Sequence, residues 1–258
     1  IDNALIKSYQ EDIRNLDLIR DAINYEKPEI VFHLAAQSLV RESYINPIDT
    51  YSTNVIGTVN LLDSLRTVES VKACIIVSSD KCYENKEWVW GYRENDPMGG
   101  HDPYSSSKGC VELITSAYRQ SFFNDGKYFE HGQFVATARA GNVIGGGDWA
   151  KDRLVPDAIR AFESNNDLIL RNPNSKRPWQ HVLEPLSGYL LLAQELYRSG
   201  SPFCGAWNFG PSIEDLRSVY EVINILEKNW IGTVNWLEKN EVNSYRSEEH
   251  TSELQSQR

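Results

Sequence analysis

Val77-Ser-Ser-Asp-Lys-Cys-Tyr83 and, after a loop, Pro103-Tyr-Ser-Ser-Ser-Lys108 are the two pieces of sequence on which the fold turns. Just before the first, Lys72-Ala-Cys-Ile-Ile-Val77 is a short apolar run with β-branched residues, which predicts a buried strand. Pro103 suits the first position of a helix, where its missing N–H is not needed. Tyr104 and Lys108 then stand four apart on one helical face. An ammonium close to a phenol favours phenolate and lowers its pKa, so the pair can do acid–base chemistry. A serine hydroxyl from the strand end can share the same substrate oxygen. Taken alone, a Tyr-x-x-x-Lys pair is equally what a half-buried tyrosine beside a solvated lysine looks like.

Outward from this stretch, strands and helices alternate. Ser8-Tyr-Gln-Glu-Asp-Ile13 reads as the end of a strand with Asp12 and Ile13 at its tip, and Leu16, Ile19, Ala22 and Ile23 mark a helical face stopped near Pro28. Glu29-Ile-Val-Phe-His-Leu34 is the next buried strand, with His33 a core histidine rather than a ligand. Ala35 and Ala36 after it either let a ligand approach the backbone or merely pack. From Pro47 to Val68 apolar residues recur at helical spacing, interrupted by Asn54. The loop 80–102 carries Trp88, Trp90 and Tyr92, which suits a packed lid or wall, or an interface. Phe134–Arg139 is a further strand, followed by Ala-Gly-Asn142-Val-Ile-Gly-Gly-Gly-Asp148-Trp149. Helices are predicted from about Pro156 to Glu163, through Tyr189, Leu192 and Leu196, and over Val219–Leu226; Leu168–Arg171 and Trp207–Gly210 read as strands. This order implies an α/β, Rossmann-like, doubly wound parallel sheet, whose ligands lie at strand carboxyl ends.

With Ser79, Tyr104 and Lys108 in these positions the chain resembles the extended short-chain dehydrogenase/reductase family, in which Ser/Thr, Tyr and Lys form the hydride-transfer site. From Glu11 to about Asn240 the resemblance narrows to the nucleotide-sugar 4,6-dehydratases, and within them to the branch acting on CDP-glucose. It is carried by SSDKCYENKEWVWGYRENDPMGGHDPYSSSKG at 78–109, ARAGNVIGGGDW at 138–149 and RPWQHVLEPLSGYLLLA at 177–193.

The resemblance implies NAD as cofactor, with Asp12, Ile13, Leu34, Ala35, Ala36, Asn54, Tyr104 and Lys108 binding it. Tyr104, with its pKa depressed by Lys108 and the nicotinamide, takes the proton of the sugar 4-OH, and Ser79 bonds the same oxygen. Asp80 is the acid for the C6 hydroxyl. Lys81, where the better-known dTDP-glucose branch has Glu, is the candidate base at C5, although an ammonium must first lose its proton. An ordinary solvated Asp-Lys turn is the plain alternative. Asn142, Arg153, Leu154, Arg177 and Asn208 match positions around the nucleotide diphosphate; single arginines are otherwise usually surface charges. No metal is implied. A homodimer pairing through 47–68 and 103–122 is expected when full length. Rival readings are a nucleotide-sugar epimerase, which has no use for Asp80 and Lys81, another sugar-nucleotide dehydratase of the same family, or a catalytically inactive structural or interaction module.

No glycine-rich dinucleotide turn occurs in the sequence. In the family it lies at the N-terminus, so the sheet is expected to lack its first βα units and residues 1–258 alone to bind NAD poorly and be inactive. Residue 1 is not Met, and it reads as an internal point of a longer protein. The expected domains are a partial Rossmann domain over 1–140 and a small interleaved α/β substrate region over 141–245. Residues 246–258 (RSEEHTSELQSQR) read as a non-native tail.

Composition narrows the partners. At 41% hydrophobic and 24% charged the chain is an ordinary globular one, and a net charge of −10 argues against nucleic acid or an anionic membrane. Cys74, Cys82, Cys110 and Cys204 lack metal or redox spacing; Cys74 and Cys110 sit in apolar patterns, so free thiols in a reducing cytosol are expected. No stretch is long and apolar enough to span a membrane, and a cytoplasmic enzyme acting on a small-molecule nucleotide sugar is the expectation.

Overall fold

A computed structural model describes residues 6–238 apart from 87, 89 and 233, so the expected tail at 246–258 and the end of the substrate region lie outside the described residues. Four strands form the central sheet side by side: β1 (Ile30–His33), β2 (Ala73–Val77), β3 (Phe134–Ala140) and β4 (Gly205–Phe209). All neighbours are parallel, with Ile30 opposite Ala73, Ile75 opposite Ala136 and Arg139 opposite Asn208. The longer helices are α1 (Leu16–Glu26), α2 (Gly57–Leu65), α3 (Pro103–Ser121), α4 (Leu154–Glu163), α5 (Leu183–Ser199) and α6 (Val219–Lys228).

Alternation along the strands divides the core between the two faces of the sheet. Cys74, Ile76 and Val135 point to one side, where Ile23 of α1, Leu61, Leu62 and Leu65 of α2 and Val111 of α3 cover them. Ala73, Ile75, Ala136 and Ala138 point to the other, under Tyr189, Leu192, Ala193 and Leu196 of α5. Side chains such as Leu62, Leu65, Ile75 and Ile76 are fully buried, each contributing roughly 1.5–3 kcal/mol. Small alanines on the α5 side let that helix sit close to the sheet. A separate cluster of Ala158, Phe162, Leu168, Leu170 and Ile223 joins α4 and α6 to a parallel strand pair, Leu168–Leu170 with Trp236–Glu238.

Most expected elements stand within a residue or two of their predicted ends, with three differences. Residues 8–12 form no strand. The chain turns there instead, with Asn15 N donating to Asp12 O at 2.9 Å and Arg14 N to Asp12 Oδ1 at 2.8 Å. The helical stretch after Pro47 is broken into Pro47–Tyr51, a π-turn at Ser52–Ile56, and α2. Asn54, the residue that interrupts the apolar pattern, sits in that π-turn, as wide turns often do at functional positions. Finally, α4 starts at Leu154, two residues before Pro156, because proline is tolerated in the first turn.

His33 closes the account of β1. Its Nε2 lies 3.0 Å from Thr58 Oγ1, and Thr58 Oγ1 donates to Asn54 O at 2.6 Å, so His33 Nε2 carries the hydrogen and donates. Burial, with the Lys108 charge adding to it, lowers the imidazole pKa to about 4. Between pH 6.5 and 4 the unfolded chain therefore binds a proton that the folded chain refuses. Stability from this group is complete above pH 6.5 and is lost as pH falls towards 4, by about 3 kcal/mol. Urea unfolding of the parent and of His33→Gln, which keeps a donor to Thr58, checks this. The parent is expected to lose more stability than the variant across that window; parallel pH profiles would contradict it.

Candidate active site

The carboxyl end of β2 and the N-terminus of α3 meet here, each held by its own cap. Ser79 caps a short 3₁₀ turn, Asp80–Cys82, its Oγ accepting from Lys81 N at 3.3 Å and donating to Asp80 Oδ1 at 2.9 Å. Asp102 caps α3, accepting from Ser105 N at 2.9 Å, and Pro103 takes the first position. Gly109 lets the loop pack against the helix, since a Cβ there would come within 2.9 Å of Gly99 O. These caps set Tyr104 and Lys108 behind Ser79. The Lys108 ammonium donates to Val77 O at 3.3 Å, and Ser79 is hydrogen-bonded with the Tyr104 hydroxyl.

Asn54 ties the neighbouring crossover to the same helix. Its Nδ2 donates to Gln37 O at 3.0 Å and to Ser107 Oγ at 2.8 Å, while its Oδ1 accepts from Gln37 N at 2.8 Å. Tyr104 N in turn donates to Ser43 Oγ at 3.1 Å.

A cavity of about 560 Å³ opens in front of these residues. Ser79, Asp80, Lys81 and Tyr104 line it, as do Asn142, Arg153, Leu154 and Arg177 from the region expected to bind substrate. Lys108 lies behind the wall and is buried. Gly141 lets this wall close up: a Cβ there would stand 2.6 Å from the Pro178 side chain and 3.4 Å from Asp80 Oδ2. Arg153 donates to Ser38 Oγ at 3.2 Å and pairs with Asp148 at 3.5 Å.

Asn208 is not on the cavity wall. It is 2% exposed, with Oδ1 accepting from Tyr83 OH at 2.7 Å and Nδ2 donating to Tyr92 O at 2.9 Å. Its polar atoms hold the aromatic loop, so the expected substrate contact is corrected to an internal one. The loop itself packs inward, with Tyr83 and Tyr92 stacked at 5.0 Å and Trp88 against Tyr92 at 5.7 Å.

Of the residues expected to bind cofactor, Tyr104 lines this cavity and Lys108 lies behind its wall; the others stand away from it, before α1, after β1 and in the π-turn before α2. Leu34 and Ala35 are exposed and Ala36 half-buried, in extended chain after β1. Ile13 packs against Gly57, where a Cβ would be 2.7 Å from its side chain, and its carbonyl accepts from Asn60 Nδ2 at 3.2 Å. The Asp12 carboxylate is exposed and held by Arg14, which depresses its pKa to about 2. Cavity-lining residues that spacing did not single out include Tyr189, Trp149 and Trp179; of these only Tyr189, on the apolar face of α5, carried any signal.

Electrostatics correct one expectation. Burial pushes the Tyr104 phenol up to about 12, while the Ser79 hydrogen bond pulls the other way. Lys108 is lowered to about 8 by burial, opposed by Glu112. Without a ligand, desolvation thus sets the direction of the phenol, with the Asp80 charge adding to it, and the expected lowering is not seen. Ser79 has one hydrogen for two acceptors: it goes to Asp80 while Tyr104 is a phenol and is free to turn to a phenolate. Among the described residues no group of three or more metal-binding side chains forms, and no helix is long and apolar enough to cross a membrane. All four cysteines are free; Cys74 and Cys82 are buried, whereas Cys110, expected buried, is half-buried.

Residues 2–205 match the family model described as GDP-mannose 4,6 dehydratase. The chain is 58% identical over 235 residues to the CDP-glucose 4,6-dehydratase of Salmonella typhimurium, covering 91% of this chain and 66% of that protein. It is 27% identical over 236 residues to the CDP-paratose 2-epimerase of Salmonella typhi, covering 84% and 67%. Against plant trifunctional UDP-glucose 4,6-dehydratases it spans about a quarter of their length (24%). Among solved structures, a dTDP-glucose 4,6-dehydratase from Streptomyces venezuelae with NAD bound superposes with a TM-score of 0.77 at 21% identity, covering 95% and 70% of the two chains. A UDP-glucose 4-epimerase from Thermotoga maritima does so at 0.77 and 18%, covering 96% and 75%. At these identities the superpositions establish the fold.

One consequence of the geometry can be read directly. The difference in absorbance at 295 nm between the parent and Tyr104→Phe is expected to titrate near pH 12 in the absence of ligand. A midpoint at or below 10, the ordinary tyrosine value, would contradict the burial argument.

Proposed function

The chain belongs to the GDP-mannose 4,6-dehydratase family, and from that premise we propose that its full-length gene product converts CDP-glucose to CDP-4-keto-6-deoxyglucose and water with NAD as cofactor. The observation that carries this reading is that Ser79, Asp80, Lys81 and Tyr104 line one cavity with Arg153 and Arg177. The 58% identity to a CDP-glucose 4,6-dehydratase supports the substrate.

The residues present fit the nicotinamide-ribose end of NAD. Among the described residues the buried Lys108 ammonium makes one hydrogen bond, to Val77 O, so two of its three N–H donors remain for ribose hydroxyls. Leu34, Ala35 and Ala36 offer extended backbone with small side chains at the end of β1; Asp12 and Ile13 would stand at the adenine end. Bound there, NAD would supply a hydride acceptor for C4 and the hydride source for C6.

The chain's own groups handle the protons. Tyr104 takes the proton of the 4-OH as the C4 ketone forms, with Ser79 donating to the same oxygen. A phenol raised by burial needs cations to make it a base, and Lys108, on the same helix face, would supply that charge together with the nicotinamide of bound NAD. The ketone acidifies the C5 hydrogen, which Lys81 removes as a free amine. Asp80, buried beside Ser79, protonates the departing C6 hydroxyl, and water leaves. Lys81 then returns its proton to C5; because the hydride lost at C4 would be restored at C6, the sugar suffers no net oxidation. Arg153 and Arg177 suit the diphosphate oxygens, Asn142 and Leu154 the walls beside them.

An epimerase has no step for Asp80 and Lys81 on this cavity wall, which disfavours that reading. A homodimer through 47–68 and 103–122 is part of the proposal: Ile48, Ile56, Leu113 and Phe122 are exposed apolar residues there. Free cysteines fit a cytoplasmic setting.

The test is full-length gene product with NAD and CDP-glucose, followed by NMR of the sugar. The expected product is a 4-keto-6-deoxy sugar; a 4-epimer would overturn the reading. Tyr104→Phe should cut turnover by roughly 10²–10⁴-fold. Asp80→Asn with Lys81→Ala should spare oxidation at C4 and block loss of water, so that 340 nm absorbance of reduced nicotinamide builds up in one turnover. Product release by that double variant at the parent rate would remove the roles given to the pair.

A further inference from the structure

Behind the cavity lies a buried ion pair that the mechanism above does not use. Glu112 follows Lys108 by one helical turn on α3, and both are buried. Its carboxylate meets Arg139 of β3 at 2.7 Å, with both side chains 4% exposed. Thr137 Oγ1, also on β3, donates to the same Glu112 oxygen, Oε2, at 2.8 Å. Among the described residues the other oxygen, Oε1, is buried without a hydrogen-bond partner. Arg139 does not end there. Its Nη1 donates to Tyr83 OH at 2.6 Å and to Glu94 O at 2.9 Å, and Tyr83 OH donates on to Asn208. One guanidinium therefore clamps the catalytic helix and the aromatic loop to the same strand.

A buried pair of this kind is weak evidence for stability, because desolvation offsets its attraction. Its position suggests another use. Lys108 has little else to keep it charged in the core, and the groups facing it can be enumerated. On its own helix stand Tyr104 and Glu112. His33 faces it from β1 and is neutral above about pH 4. Cys82, in the turn after β2, is a thiol pushed well up by burial. Asp80 acts on Tyr104 and Cys82. Arg139, from β3, lies on the far side of Glu112.

We propose that Glu112 is a positioning residue for the acid–base pair: clamped by Arg139 and Thr137 one turn behind Lys108, it is the buried counter-charge that keeps Lys108 an ammonium and so able to draw the proton from Tyr104. The clamp matters because Glu112 is fixed by β3 and not by Lys108 itself, which leaves the lysine donors free for ligand. The field of Glu112 on Lys108 opposes the burial that lowers the lysine to about 8. Removing the carboxylate charge lowers Lys108 further, so the lysine loses its proton at lower pH. This inference rests on the reading of Tyr104 and Lys108 as the acid–base pair.

The experiment separates the two. In full-length gene product labelled with ¹³Cε-lysine, the Lys108 signal, assigned by its loss in Lys108→Met, is titrated by NMR. Its midpoint is expected near 8 in the parent and about one pH unit or more lower in Glu112→Gln. Because that variant leaves Arg139 buried and unpaired, it is paired with Glu112→Gln/Arg139→Gln, which removes both charges. The double variant should also shift downward, by less because loss of the more distant Arg139 cation partly offsets loss of the carboxylate, whereas a merely structural pair would leave the midpoint where it was. The alkaline limb of kcat should move down with the midpoint while KM changes little. An unmoved midpoint in either folded variant overturns the proposal. A midpoint that falls without the alkaline limb following upholds the control of Lys108 by Glu112 and instead defeats the acid–base reading of Lys108.

Discussion

A lysine ammonium kept inside the core, behind the carboxyl end of a central strand, is the constraint on which this site depends. Charges leave water at a large free-energy cost unless their surroundings compensate. Compensation for Lys108 comes from the Val77 carbonyl and from Glu112 one turn along the same helix. That arrangement needs β2, β3 and α3 in fixed relation. The strands supply it by parallel pairing in register, and the helix by the Asp102 cap and the close approach at Gly109. The same packing buries Tyr104, which is why its phenol resists ionisation until a cation acts on it.

The parts of the fold written in local pattern were legible in the sequence. β2 and β3 are apolar runs, and Pro103 marks the start of α3, to which the structure adds the Asp102 cap. Tyr104 and Lys108 fall on one helix face because four residues make about one turn. Asn54 broke the apolar spacing, and the structure has a π-turn there, its side chain spent on Gln37 and Ser107. The stretch 8–13 misled because a few polar and aromatic residues mimic a strand end while its backbone turns on Asp12. Pairing with a neighbour, which no local pattern records, is what makes a strand.

Side-chain destinations were less legible than elements. Asn208 lies at the end of a strand beside the cavity region, yet its amide is turned into the core to hold Tyr83 and Tyr92. Glu112 and Arg139 are 27 residues apart, and only the crossover from α3 to β3 makes them partners. Local spacing put Glu112 near Lys108, but its counter-ion could not be read from it. The expected lowering of the Tyr104 pKa is not seen for a related reason: spacing shows which charge is near, while the desolvation that raises the phenol depends on tertiary packing.

Asp80 and Lys81 line the cavity wall with Tyr104, and the proposed reaction assigns them its direction: a ketone made at C4 would be used to expel the C6 hydroxyl, and the hydrogen taken from C4 would return at C6. That internal return is the central claim, and an isotope follows it. CDP-glucose deuterated at C4 is incubated with the full-length gene product and NAD in ordinary water, and the product is examined by NMR and mass spectrometry. The account predicts a 4-keto-6-deoxy sugar with the deuterium on the C6 methyl group. Deuterium at C4 of a hexose product, or a 6-deoxy product that has lost its deuterium to solvent, would contradict it.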